Sequence, residues 1–300
     1  MNLSYKTNHN SNVFINDNVV CEILHDAGFF SICTVCLIDI IETINYLKTN
    51  NINYKNSYIN INTSKTFKLY RVNNNNNFYD YFKENNNLDN IKILNEKLES
   101  GISIMPYKNL NYDIINNYIK VFFQPSDHIT KIINNIESKY NLDYENSCCI
   151  FYRGLDKMTE TIIPSYDEFY NKINNETKHL KNFKFILQSD ESEFLEYFKK
   201  KFINNIIFNE ETRNLPKQKS LVEHKSSKED NYKYSQFFLA IVYIMSKCKY
   251  VYCNSSNVSL WIALFRGNTN NLHQYLKQIE KFHAIMQNPL YNDNIKEVWY

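Results

Sequence analysis

An alternation in the second half of the chain constrains its fold more than any other feature. Short apolar runs end abruptly in polar clusters, and a helix-spaced stretch follows each time. The sharpest instance is Cys148-Cys149-Ile150-Phe151-Tyr152, which breaks into Arg153-Gly154-Leu155-Asp156-Lys157-Met158-Thr159-Glu160. The apolar part has the length and the aromatic content of a buried strand. A second run, 183–188, ends in Ser189-Asp190-Glu191, and a third, 250–253, ends in Asn254-Ser255-Ser256-Asn257. Helical spacing over 127–140, 166–180, 193–202, 234–245 and 258–265, with a short strand at 206–208, predicts a parallel sheet with flanking helices. In such a sheet the strand ends share one edge, so the three polar clusters converge. No GxGxxG or GxxxxGK[ST] occurs, which excludes the dinucleotide and P-loop fingerprints.

Each cluster has a chemistry that suits a phosphorylated ligand. Arg153 offers a planar fork and Lys157 a mobile point charge, a combination suited to a diphosphate, and Gly154 permits a close approach. Asp190 and Glu191 are paired acids. Ser255, Ser256 and Asn257 open a helix, where backbone N–H groups and hydroxyls can cradle phosphate. Singly, each has a plain reading as a solvated strand end or a helix cap. Jointly they describe a nucleotide-sugar pocket.

The first half is less regular. Strands are expected at 13–15, 19–24, 58–61 and 66–72, and a helix over 78–82. The run Ile32, Val35, Cys36, Asp39, Ile40, Ile44 keeps helical spacing, with Gly28 in the loop that delivers the chain to that helix. Gln124-Pro125-Ser126-Asp127 looks like a boundary, with Ser126 or Asp127 as a helix cap. It divides 1–125 from 126–300. A chain of 300 residues with 43% hydrophobic content can bury a core in each part. The loop holding Pro216 and His224 is long enough to serve an acceptor.

Charge argues against a nucleic-acid partner: the net charge is +2, and the lysines are matched by acids and scattered. The 7 cysteines sit largely in apolar runs, so Cys33-x-x-Cys36 reads as buried thiols in a reducing compartment. No apolar stretch is expected to span a bilayer, and a polar beginning without a leader implies a cytoplasmic protein. Abundant Asn, Ile, Lys and Tyr with 4 Gly and 5 Pro suits the coding bias of an AT-rich genome, viral, protist or bacterial.

Arg153-Gly154-Leu155-Asp156-Lys157 with Glu160 and Pro164 resembles the R-R-T-D-K…E motif of alpha-1,6-fucosyltransferases. Phe185-Ile186-Leu187-Gln188-Ser189-Asp190-Glu191 is similar to their strand ending in paired acids. Ser246 to Val258 resembles their S-x-A-D-F…S-S-Q/N segment. Order and spacing agree over about residues 120–266, and bacterial nodulation fucosyltransferases share the pattern. The resemblance implies an α/β, GT-B-like architecture of two Rossmann-like domains, the N-terminal one (1–125) on the acceptor side and the C-terminal one (126–300) binding the donor. It implies an inverting, metal-independent transfer of fucose from GDP-fucose to a glycan or protein hydroxyl, without a cofactor. Arg153 would be an exposed ligand of the β-phosphate, with Lys157 and Glu160 at the reacting centre and Glu160 as base. Asp156, Asp190 and Glu191 would serve the donor, the acids contacting guanine or ribose. Ser255, Ser256 and Asn257 would hold the diphosphate, with Gly28 a trace of the family's glycine-rich first loop. Three departures stand out. Gly154 replaces the second Arg, the Lys-to-Glu interval is one residue shorter, and an apolar residue near Ile241 replaces an acid. These departures also suit a different class of protein, a nucleotide-sugar- or glycan-binding module that has lost turnover.

Overall fold

The chain begins with a four-stranded sheet ordered β1-β2-β3-β4, in a computed structural model that describes residues 3–16, 18–52, 59–73, 78–84, 88, 91–94, 98, 100–217, 226–277 and 298–300. Strands β1 (Leu3–Lys6), β2 (Asn12–Ile15) and β3 (Val19–Glu22) form an antiparallel meander. Helix α1 (Phe29–Thr49) then crosses over to β4 (Ile59–Asn62), which lies parallel to β3. Val19 and Cys21 of β3, and Ile59 and Ile61 of β4, are buried while their neighbours are half-buried, the two-residue period of a one-faced sheet.

Helix α1 is apolar on nearly every side and mostly buried. It is long and apolar enough to cross a membrane by length and composition, which corrects the expectation that no stretch reaches that threshold. An all-round apolar helix needs cover on every side, and here the protein interior supplies it. Residues 66–72 are also corrected: they form turns, not a strand. Phe67 has φ 53°, and the N–H of Tyr70 bonds back to the carbonyl of Phe67. The spacing of three brings Phe67 and Tyr70 into one aromatic cluster with Phe29 and Tyr81, which strand alternation forbids. The helix expected at 78–82 is a single turn, Phe78–Asp80.

Helices α2 (Tyr112–Phe122) and α3 (Asp127–Tyr140) lead to the second sheet. Ser126 caps α3 as expected, its hydroxyl accepting from the N–H of Ile129 at 3.3 Å. The alternation then folds as β5 (Ser147–Tyr152), α4 (Tyr166–Thr177), β6 (Lys184–Ser189), α5 (Ser192–Lys201) and β7 (Asn205–Ile206). It continues as α6 (Lys228–Lys247), β8 (Tyr250–Asn254), α7 (Asn257–Arg266) and β9 (Leu272–Tyr275). All five strands are parallel, in the order β7-β6-β5-β8-β9. The chain therefore winds outward from β5 to one edge, returns through α6, and winds outward again from β8. The β5/β8 boundary is a topological switch point, where an open α/β sheet leaves a crevice at its carboxyl edge. Tyr152 of β5 stacks on Phe194 of α5, centroids 4.4 Å apart, and Phe169 and Phe198 complete that layer.

In space the chain forms two units, neither of them an unbroken stretch. Residues 1–100, 111–132 and 227–240 make the first, and 101–110, 133–226 and 241–300 the second.

Arg266, the last residue of α7, ties the second unit together. Its guanidinium donates to the carbonyls of Ser246 (3.1 Å), Cys248 (2.5 Å), Lys249 (2.9 Å) and Asn270 (2.7 Å), closing the end of α6 onto the entry to β8. Arg266→Ala strands these acceptors together and is expected to cost about 3 kcal/mol of stability, read as a urea midpoint. Arg266→Lys keeps the charge without the fork and should recover only part of that loss.

Candidate functional site

The three strand-end clusters meet as predicted, and the detail lies in which atoms join. Arg153 follows β5 at the switch point, and Asn254 ends β8 beside it. The Asn254 side-chain amide clamps the backbone of Arg153 from both sides. Its Oδ1 accepts from the Arg153 N–H at 2.8 Å, and its Nδ2 donates to the Arg153 carbonyl at 2.9 Å. Asn254 is buried, so this fork replaces pairing that the parting strands β5 and β8 can no longer supply. From the end of β6, Asp190 accepts the Gly154 N–H at 2.8 Å. Sequence reasoning placed Asn254 in a cluster but gave it no role. The available signal was an amide, able to donate and accept at once, at the last position of a central strand.

Arg153 is not the freely exposed cation expected from sequence. Its side chain is 18% exposed and its guanidinium bridges Asp156, at 2.6 Å, and Asp190. Lys157 is buried in a short helical turn and ion-paired with Glu160, whose side chain is 44% exposed. Two cations thus face three carboxylates, Asp156, Glu160 and Asp190, and each cation already has a partner.

Glu191 lies inside the protein and not on the ligand edge. It is fully buried, the Tyr166 hydroxyl donates to its Oε1, and its Oε2 meets no donor and sits against Gly154. A Cβ on residue 154 would come within 2.0 Å of Glu191 Oε2 and 3.0 Å of Tyr152 Cε1. Gly154 therefore accommodates Glu191, and a side chain at this position would require the Glu191 carboxylate to move. Burial pushes the Glu191 carboxyl up from the usual range, with Lys217, 4.0 Å away, opposing the shift. The fold thus favours the protonated form, and its stability falls as pH rises from the ordinary carboxylate value through the raised one. Glu191→Gln should abolish that loss, seen as a urea midpoint that no longer falls as pH rises above the ordinary carboxylate value.

The helix-start serines are also turned inward. Ser256 is the N-cap of α7, its Oγ accepting the Ser259 N–H at 3.1 Å. The Ser256 N–H donates to the Tyr107 hydroxyl at 3.1 Å, and that hydroxyl also donates to the Ser256 carbonyl at 2.9 Å. Ser255 donates to the Tyr275 carbonyl at 2.9 Å and accepts from Gln274 Nε2 at 2.8 Å. The hydroxyls of Ser255 and Ser256 thus have protein partners, which corrects their expected place on the diphosphate. Tyr107 fills the position next to the helix start where an anion was foreseen. Asn257, the first residue of α7, remains half-buried at that edge. Gly28 belongs to the first unit, where it is the N-cap of α1, and among the described residues nothing beyond its own chain neighbours lies within 4 Å of where its Cβ would be. Pro216 lies among the described residues and His224 outside them. Leu215 is bonded through both its neighbours' strand end: its N–H donates to the Asp190 carbonyl and its carbonyl accepts from Ser192, each at 2.9 Å.

Fold and site together define an α/β protein whose polar constellation occupies the carboxyl edge of a parallel sheet at its switch point. No family model matches the sequence, and no curated protein matches it. Among solved structures, NodZ alpha-1,6-fucosyltransferase soaked with GDP-fucose is similar over 86% of this chain and 94% of that chain, at 11% identity and a TM-score of 0.49. Fucosyltransferase NodZ from Bradyrhizobium is similar over 86% and 94%, at 10% identity and a TM-score of 0.47.

Proposed function

We propose that the protein is a glycosyltransferase that holds a nucleotide sugar, GDP-fucose first among the candidates, at the carboxyl edge of the β5–β6–β8 sheet. It moves the sugar to a glycan or protein hydroxyl without a metal. The observation that supports this reading is the knitting of Arg153, Asp190 and Asn254 at the switch point, from segments 36 and 101 residues apart. That is where the fold leaves a crevice, and the residues gathered there carry the phosphate-binding and acidic groups of the fucosyltransferase-like motifs.

In this mechanism the diphosphate takes the place of a carboxylate on each cation. Arg153 releases Asp156 or Asp190, and Lys157 releases Glu160, which is then available as base. The acceptor oxygen bonds to the anomeric carbon as its proton passes to Glu160. The bond from that carbon to the diphosphate breaks with its electron pair going to phosphate, where Arg153 and Lys157 stabilise the charge. Asp190, where Arg153 releases it, is the acid for guanine or ribose.

Calorimetry with GDP, UDP, ADP and CMP, then with GDP-fucose, tests the reading. Tight binding of GDP alone supports it. Preference for another nucleotide removes the donor assignment, and binding of none removes the site. The binding module without turnover has its own supporting observation, since both site cations are already neutralised by neighbouring carboxylates. Donor that binds but is neither transferred nor hydrolysed would select that second reading.

A further inference from the structure

The carboxyl edge of the first unit's parallel pair gathers a second set of chemistry-bearing side chains. Register places the β1–β2 turn, the β3–α1 loop and the end of β4 at one end of that sheet, through Lys6↔Asn12, Asn12↔Glu22 and Glu22↔Asn62. The turn supplies His9, the loop His25, and α1 both Ser31 and Asp39. His9 Nδ1 lies 3.2 Å from Asp39 Oδ1. Asp39 is wholly buried, and its second oxygen, Oδ2, meets no donor among the described residues.

Anchoring the turn does not require this pair. Asn8, next to His9, already donates its N–H and its Nδ2 to Glu42 of α1, at 3.1 and 2.9 Å. A carboxylate in the apolar body of a helix is costly unless it has a task. In the tautomer that donates Nδ1–H to Asp39, Nε2 of the part-exposed His9 ring is a hydrogen-bond acceptor. His25 Nε2 lies 2.9 Å from Ser31 Oγ, pairing a second imidazole with a hydroxyl. Burial holds His25 below the ordinary imidazole value, so it is neutral near pH 7. The space beside Gly28 leaves the backbone of the same loop approachable. Groups that accept and donate side by side suit hydroxyls, which do both.

We infer that this edge is a second binding site, for a sugar bearing free hydroxyls, with His9 oriented by Asp39 accepting from one hydroxyl and His25 with Ser31 engaging another. Naming that sugar the glycan acceptor rests on the glycosyltransferase reading; the site itself does not. Proton NMR of the histidine ring signals in the full chain, assigned with His9→Gln and His25→Gln, provides the test. The probes are the methyl glycosides of glucose, galactose and mannose, with GDP titrated separately. At least one glycoside should shift the His9 and His25 signals saturably, and Asp39→Asn should weaken that response about tenfold, the worth of one charge-assisted hydrogen bond. Should Asp39→Asn fail to fold, Ser31→Ala carries the same expectation at His25. If no glycoside moves either signal saturably, the site is overturned, whether or not GDP binds. Glycoside shifts that persist while GDP fails to bind would support this site and remove the nucleotide reading.

Discussion

Replacing Arg153 by Ala should lower the affinity for GDP about a hundredfold or more. A guanidinium fork on phosphate makes two charge-assisted bonds, each worth about 1.5–3 kcal/mol, and about 2.7 kcal/mol already amounts to a hundredfold. The same substitution carries a structural cost, because Asp156 and Asp190 lose the cation they share. Both carboxylates retain some solvent, so the expected loss of stability is about 1–2 kcal/mol and not the larger figure for a fully buried pair. A double variant separates the two effects. Arg153→Ala with Asp190→Asn removes one of the two stranded charges and keeps an oxygen for the Gly154 N–H, so stability should return in part while binding does not. Arg153→Lys should retain stability and part of the affinity. Wild-type GDP binding in the Ala variant would end the assignment of this site.

The second large effect is expected at Asn254. Asn254→Ala leaves the Arg153 N–H and carbonyl without partners at a buried strand end, and each orphaned group costs about 1–3 kcal/mol. A fall of about 2–4 kcal/mol in unfolding free energy should accompany a loss of nucleotide binding, since Arg153 is aimed by the backbone that Asn254 holds. Asn254→Asp is the more telling change. It keeps the acceptor for the Arg153 N–H but turns a second acceptor against the Arg153 carbonyl. Above the carboxylate range it should therefore be worse than Ala. At acid pH, where the carboxyl regains a proton to donate, it should recover. A stability change within about 0.5 kcal/mol for both variants would mean that the clamp contributes nothing.

What the sequence revealed, and what it hid, follows from the range of the interactions involved. Strands β5, β6 and β8 were legible because burial on both faces makes each a continuous apolar run. Helix α3 was legible at its start because Ser126 caps within a few residues of itself. Residues 66–72 misled because aromatic and β-branched content reads as strand, while the positive φ at Phe67 depends on packing that propensity does not contain. The convergence at the switch point followed from alternation alone. The inward orientation of Ser255, Ser256 and Glu191 did not, because it is set by distant partners. Tyr107 stands 149 residues before Ser256, and Tyr166 reaches Glu191 across 25. A hydroxyl at a helix start reads the same whether it faces a phosphate or a buried tyrosine.

The seven thiols, all buried and none of them in a disulfide, make the protein its own probe of local opening. Cys21, Cys33 and Cys36 lie in the first unit, and Cys148, Cys149, Cys248 and Cys253 in the second. A colourless thiol can be capped only when its surroundings part, so the rate at which each set is alkylated by iodoacetamide counts the excursions of one unit independently of the other. Mass spectrometry of the capped peptides would then rank the two units by how often each breathes, and would show whether a nucleotide quiets only the one that holds it.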